Sequence, residues 1–208
     1  MTFWQAITSF GDSALLLPVI VWMAACQVAV APYRRDGWRW IVAAVACGGM
    51  VSLSKLLFMA WGVAPAGIDY TGFSGHTALA IMVWTAFGAL AGRGMTWRAL
   101  PIAAGALLGV AVGASRLALK VHSPSEVWLG ALLGGIVATW FVIGMSQAAP
   151  TDRRASAWRL TLIGGTLAIG LVCYGRVFPS QHLLQDIALW LSGHGQVFTR
   201  PAASPSSR

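Results

Sequence analysis

The sequence predicts an all-α, polytopic membrane protein, a helix bundle with about six transmembrane helices. Three observations carry that expectation. Hydrophobic residues make up 57% of the 208 positions and charged residues 10%, with a mean hydropathy of +0.70, whereas a water-soluble domain carries about 25% charged residues. Six stretches hold no charge at all: 13–31, 40–54, 76–92, 99–115, 127–149 and 160–175. A helix that crosses a bilayer needs about 20 mostly apolar residues, and each stretch reaches or approaches that length with its flanks. Third, the 24 glycines fall largely inside these runs, as small residues do where helices meet closely in lipid.

The net charge of +8 is placed to set topology. Arg34, Arg35 and Arg39 follow the first span, Arg93 and Arg98 the third, and Arg153, Arg154 and Arg159 the fifth. These loops alternate with loops that lack such clusters, so they face the cytoplasm and both termini lie outside. The basic excess therefore implies no nucleic-acid partner. Residues 1–12 contain no Lys or Arg, so the first span lacks the basic flank of a cleavable signal and is expected to remain. Trp38 and Trp158, at span ends, read as interface anchors. Cys26, Cys47 and Cys173 sit in apolar runs without CxxC spacing and read as small core residues, with neither disulfide nor zinc site.

One domain is expected over 1–208. The glycine- and proline-rich segment 62–75, "GVAPAGIDYTGFSG", ends the second span and forms an outer loop. After the sixth span, 176–208 reads as an interfacial amphipathic helix followed by a flexible tail. His182 and His194, in that region, read as exposed or interfacial.

This topology brings four span ends to one membrane face, and each end carries polar residues. Lys55 lies near the outer end of span two; Ser74, Gly75 and His76 open span three; Ser115 and Arg116 close span four; His122 and Glu126 open span five. Such a set suits a phosphoryl group. Helix N-termini supply N–H donors, arginine a bidentate fork and lysine a point charge. Of two histidines, one can attack phosphorus and the other protonate the departing oxygen. A carboxylate can orient the nucleophilic ring and stabilise its charge.

"SRLALKVHSPSE" at 115–126 resembles the third signature of the type-two phosphatidic acid phosphatase superfamily, the lipid phosphate phosphatases: Ser-Arg, five residues, His, three residues, Asp. "FSGH" at 73–76 resembles the second, Pro-Ser-Gly-His. Of the first, Lys, six residues, Arg-Pro, only Lys55 remains, because Gly62 and Val63 hold the Arg-Pro positions. The resemblance implies His122 as a nucleophile forming a phosphohistidine, Glu126 as its orienting carboxylate and His76 as general acid. Lys55, Ser74, Gly75 and Arg116 would hold the phosphate, with no metal and no cofactor. Lys120, outside the signature, is the candidate substitute for the missing arginine at position 62. The substrate implied is a lipid phosphate: phosphatidic acid, phosphatidylglycerol phosphate, a polyprenyl pyrophosphate or a lipid A phosphate. It would be met at the outer, periplasmic face of a bacterial inner membrane.

Other readings of the same residues stand beside these. Ser123, Pro124 and Glu126 form a helix-capping box, a structural use of Glu126 that is compatible with orienting His122. Lys55 could snorkel to headgroups. His76, His122, Glu126 and Asp69 could gather round a metal, although the neighbouring cations oppose one. Asp12 and Asp69 are outer acids placed to tune the site or bind headgroups, with turn formation an alternative for Asp69. A phosphotransferase passing the group to another lipid, or a non-catalytic lipid-phosphate-binding or transport protein, would use the same scaffold.

Overall fold

The computed structural model describes residues 2–146, 153–193 and 195–200, without the side chains of 153–156. His194 and the expected tail beyond Arg200 lie outside the described residues, as do the side chains of Arg153 and Arg154. Every regular element described is helical: α1 (Phe3–Thr8), α2 (Ser13–Val28), α3 (Arg34–Trp61), α4 (Gly75–Ala91), α5 (Ala99–Ala118), α6 (Pro124–Gly144), α7 (Arg153–Cys173) and α8 (Ser180–Ser192). The six long helices, α2 to α7, coincide with the six uncharged stretches. The protein is an all-α membrane helix bundle.

By length and composition, four segments suffice to cross a bilayer: Phe3–Val28, Ala31–Trp61, Ala99–Ala118 and Pro124–Gly144. The other two apolar helices are shorter, Gly75–Ala91 and Ala157–Cys173. α4 is short for a physical reason. It is the axis of the bundle, packed chiefly on α5 and α6 and touching α2, α3 and α7 as well, and most of its residues are buried. A helix wrapped in other helices need not match the lipid along its own length.

Missing side chains make the α4–α5 approach possible. A Cβ on Gly105 would stand 2.0 Å from the Trp84 carbonyl oxygen, and one on Gly88 2.0 Å from that of Pro101, so any larger residue would push the backbones apart. Round this axis, Leu15, Leu16, Val19, Met23, Trp40, Met82 and Phe141 form a continuous core with almost no exposure.

The two ends of the bundle differ in chemistry. At the end reached by the C-terminus of α3 and the N-terminus of α4 is a polar cavity. At the other, Arg93 Nη2 lies 2.7 Å from Asp36 Oδ2, with both side chains almost wholly buried. The Arg93 guanidinium stacks 4.2 Å from the Tyr33 ring, and Arg159 Nη2 donates to the Arg93 carbonyl at 2.7 Å. Arg93 is thus a structural latch rather than a free loop charge. Trp158 also departs from expectation. It is buried, donates from Nε1 to the Cys26 carbonyl at 2.7 Å and tilts against Tyr33 at 4.9 Å, so it locks α7 to α2 instead of anchoring at an interface. Trp38 is exposed. The three cysteines are free, two of them buried.

Candidate functional site

α6 begins with a capping box. The Ser123 hydroxyl accepts from the Glu126 N–H, and the Glu126 side chain accepts from the Ser123 N–H. Glu126 does more than cap. Its Oε2 lies 2.6 Å from His122 Nδ1, while Oε1 accepts from the Thr71 N–H at 2.8 Å and the Thr71 hydroxyl at 2.6 Å. One carboxylate thus meets the Ser123 N–H, the Thr71 N–H and hydroxyl, and the His122 ring at once. A carboxylate that accepts at Nδ1 fixes the Nδ1–H tautomer of a neutral imidazole, which leaves the Nε2 lone pair as the available nucleophile. Burial pushes the His122 pKa below the usual imidazole range; the bond to Glu126 opposes that, and Arg116 and Lys55 add to it.

The start of α4 docks directly on this turn. The Ser74 N–H donates to the Glu126 carbonyl at 3.1 Å. The Ser74 hydroxyl meets the Thr77 hydroxyl at 2.9 Å and makes no bond to the helix backbone. The first-turn N–H groups of α4 are thereby left without a side-chain cap, and this end of the helix opens on the cavity at Gly75 and His76. Phe73, where the resemblance expects proline, donates its N–H to Ser54 Oγ at 3.0 Å. Proline could not make that bond.

The cavity measures about 1030 Å3, at the upper end for small-molecule pockets, about 300–1,000 Å3. His76 and His122 both line it, with Lys55, Gly75, Arg116, Arg176 and Arg200. Leu17, Phe58, Leu79 and Leu184 give it an apolar wall. Lys55 is half-buried, with Nζ 3.3 Å from Gln181 Oε1 on α8, so it turns into the cavity and does not reach outward for headgroups. Arg116 Nη1 donates to the Thr8 hydroxyl at 2.9 Å. Its Nε is a buried donor with no partner among the described residues. An anion would satisfy it.

Of the residues singled out from the sequence, the structure gathers Lys55, Gly75, His76, Arg116 and His122 on one cavity and puts Glu126 directly behind His122. Two are not brought there. The Ser74 side chain is fully buried and absent from the cavity wall, so Ser74 positions α4 through its backbone. Lys120 is exposed at φ 54° and also lies off the wall, in the turn that leads into His122. Ser115 is buried and donates to the Val112 carbonyl at 2.6 Å. His182 is exposed. Among the described residues no group of three His, Cys, Asp or Glu side chains is placed to hold a metal ion.

Two pairings lie beyond the sequence reading, which names Asp12 as an outer acid placed to tune the site without naming His76 as its partner. His76 Nε2 stands 3.7 Å from Asp12 Oδ2, an acid 64 positions earlier whose Oδ1 also caps α2 at the Ala14 N–H, 2.8 Å away. Arg200, assigned to the tail, places Nη2 2.7 Å from Glu126 Oε1 and Nε 2.9 Å from Asp69 Oδ1.

Residues 54–150, which hold the cavity's central motifs, match the profile of the PAP2 superfamily. A Klebsiella pneumoniae protein described as an uncharacterized 22.5 kDa protein in the cps region is 33% identical over 199 residues, which span 95% of each chain. The chain belongs to the PAP2 superfamily. No solved structure matches it. Within this PAP2 protein the second and third signatures coincide with the docked α4 and α6 turns. The degenerate first signature coincides with the C-terminus of α3, where Gly62 adopts a left-handed φ of 67°. Its N–H bonds the Phe58 carbonyl at 2.8 Å, and the Val63 N–H bonds that of Leu57 at 3.2 Å. This double bond is a glycine-dependent helix stop. At position 62 stands a turn glycine where the signature has arginine.

Proposed function

We propose that the protein is a membrane lipid phosphatase that works through a phosphohistidine. The observation that carries this reading is the 2.6 Å contact between His122 Nδ1 and Glu126, on a cavity that His76, Lys55 and Arg116 share. Membership of the PAP2 superfamily supports a phosphatase-type fold, and the apolar wall beside the cations suits a phosphate carried on a lipid.

In the first step His122 Nε2 attacks phosphorus and the bond from phosphorus to the lipid oxygen breaks. His76, protonated and held by Asp12, gives its proton to that oxygen, so the lipid leaves as an alcohol or, from a pyrophosphate, as the monophosphate. Lys55, Arg116 and the α4 N–H groups hold the three equatorial oxygens, whose charge spreads in the transition state. In the second step the now-neutral His76 takes a proton from water as the water oxygen bonds phosphorus. The nitrogen–phosphorus bond breaks, and inorganic phosphate and both imidazoles return. Candidate substrates are phosphatidic acid, phosphatidylglycerol phosphate, a polyprenyl pyrophosphate and a lipid A phosphate. The cavity end would face the periplasm of a bacterial inner membrane, because the arginine-rich loops lie at the opposite end.

The test is release of inorganic phosphate from these lipids by detergent-purified protein with chelator present. His122→Ala should abolish it, and a brief incubation with labelled substrate should leave label on His122. Release of no phosphate, or release unchanged in His122→Ala, would overturn the proposal.

A further inference from the structure

The segment after α8 is built into the cavity. α8 ends at Gly193 in the left-handed conformation, and the chain returns across the end of α3. Val197 packs with Met59, Ala60 and Ala188, and the Phe198 N–H donates to the Met59 carbonyl at 2.9 Å. The Phe198 ring lies 3.1 Å from the point where a Cβ on Gly62 would sit. A side chain at 62 would therefore meet this ring and also sit in a strained left-handed backbone. The strap packs closely over the glycine.

Two residues on, Arg200 joins the cavity wall beside Lys55, Arg116 and His122. Its Nε and Nη2 are held by Asp69 and Glu126, and among the described residues Nη1 has no partner. Two carboxylates thus fix the direction of the guanidinium while one edge stays available. That arrangement suits an arginine that binds an anion, since a fork held in advance loses little freedom on binding.

We propose that Arg200, delivered by the strap 195–200, is a phosphate-binding residue that supplies the cation absent at position 62. This rests on the reading of the cavity as a phosphate site. It also assigns the C-terminal segment a part in the site: the arginine comes from outside the matched residues 54–150, brought by chain that covers the cavity.

The test uses full-length protein in detergent and two readouts: hydrolysis of phosphatidic acid, and binding of inorganic phosphate followed by phosphorus NMR. Arg200→Ala should lower kcat/KM by roughly 10²-fold, the scale of one lost charged donor, and weaken phosphate binding in parallel. Arg200→Lys should recover part of both. Millimolar guanidinium chloride should restore part of the activity of Arg200→Ala and none of that of His122→Ala. The proposal is overturned if Arg200→Ala changes neither readout by more than twofold. It is also overturned if the loss tracks a fall in melting temperature and neither lysine nor guanidinium restores it, the pattern of a strap that only staples the fold. Wild-type protein that binds phosphate through Arg200 but hydrolyses no lipid would sink the hydrolase reading and leave this one standing. Wild-type protein that neither binds phosphate nor hydrolyses lipid would sink both.

Discussion

Asp12 faces two ways. One carboxylate oxygen caps α2 at the Ala14 N–H, and the other lies 3.7 Å from His76 Nε2. A single acid thus fixes the start of one helix and orients the proposed general acid at the start of another. Asparagine caps a helix about as well as aspartate, so Asp12→Asn should keep the melting temperature while removing the charge that steadies a protonated His76. Phosphate release should fall about tenfold to hundredfold, short of the roughly 10²–10⁴-fold that a general acid itself contributes, because His76 remains in place. Asp12→Ala should in addition lose about 1 kcal/mol of stability, read by thermal unfolding in detergent.

The His122 pKa lies below the usual imidazole range because burial disfavours the charged ring. The nucleophile must be neutral, and falling pH stops it only when the ring takes up a proton. A depressed pKa therefore extends activity further into acid than an ordinary histidine would allow. The acid limb of kcat/KM should lie below the imidazole range, once the substrate's own ionisation near pH ~6 is measured separately. Glu126→Gln removes the partner that favours the protonated ring, so the acid limb should move lower still as the plateau rate drops. A limb that moves upward would contradict the pairing.

Lys120 and Arg116 stand four residues apart, and only Arg116 reaches the cavity. Arg116→Ala should cut kcat/KM by about 10²–10³-fold, as single charged donors do elsewhere. Lys120→Gly should leave kinetics unchanged. It should also hold or raise stability by up to about 1 kcal/mol, because a left-handed φ penalises a side chain.

The contrast shows what the sequence could and could not disclose. Six uncharged stretches mark six helices because apolar length is a one-dimensional property. His122 and Glu126 are legible as a pair because they sit four apart at a helix start, and Ser74–His76 because a helix begins there. Asp12 with His76, and Arg200 with Glu126, join residues 64 and 74 positions apart. No spacing rule covers such distances, and only the packing of α1, α2 and the strap creates them. For Asp12 the sequence shows an outer acid placed to tune the site, the lone acid before the first span, and not which histidine it meets. Lys120 is the reverse case: close to His122 in sequence, it is exposed in a left-handed conformation and stands off the cavity wall. Arg93 and Trp158 were assigned by loop position, which says nothing of burial.

Arg93 and Asp36 offer a test far from the cavity. Their 2.7 Å contact is sealed from water, and Asp36 also accepts from the Ser146 N–H through Oδ1 at 3.2 Å, so the pair ties α3 and the α4–α5 turn to the end of α6. Removing one partner strands a buried charge, which costs about 3–5 kcal/mol. Asp36→Ala should therefore lower stability by that amount, while the folded fraction retains full kcat, because nothing at the cavity end changes. Replacing both, Asp36→Leu with Arg93→Met, should recover most of the loss, since two apolar side chains of similar volume leave no charge unpaired. Thermal unfolding of the single and double variants in detergent measures this directly. If the double variant is no more stable than Asp36→Ala, then the stacking of Arg93 on Tyr33 and Trp158, which the double variant also removes, holds this end together as much as the charge pairing does.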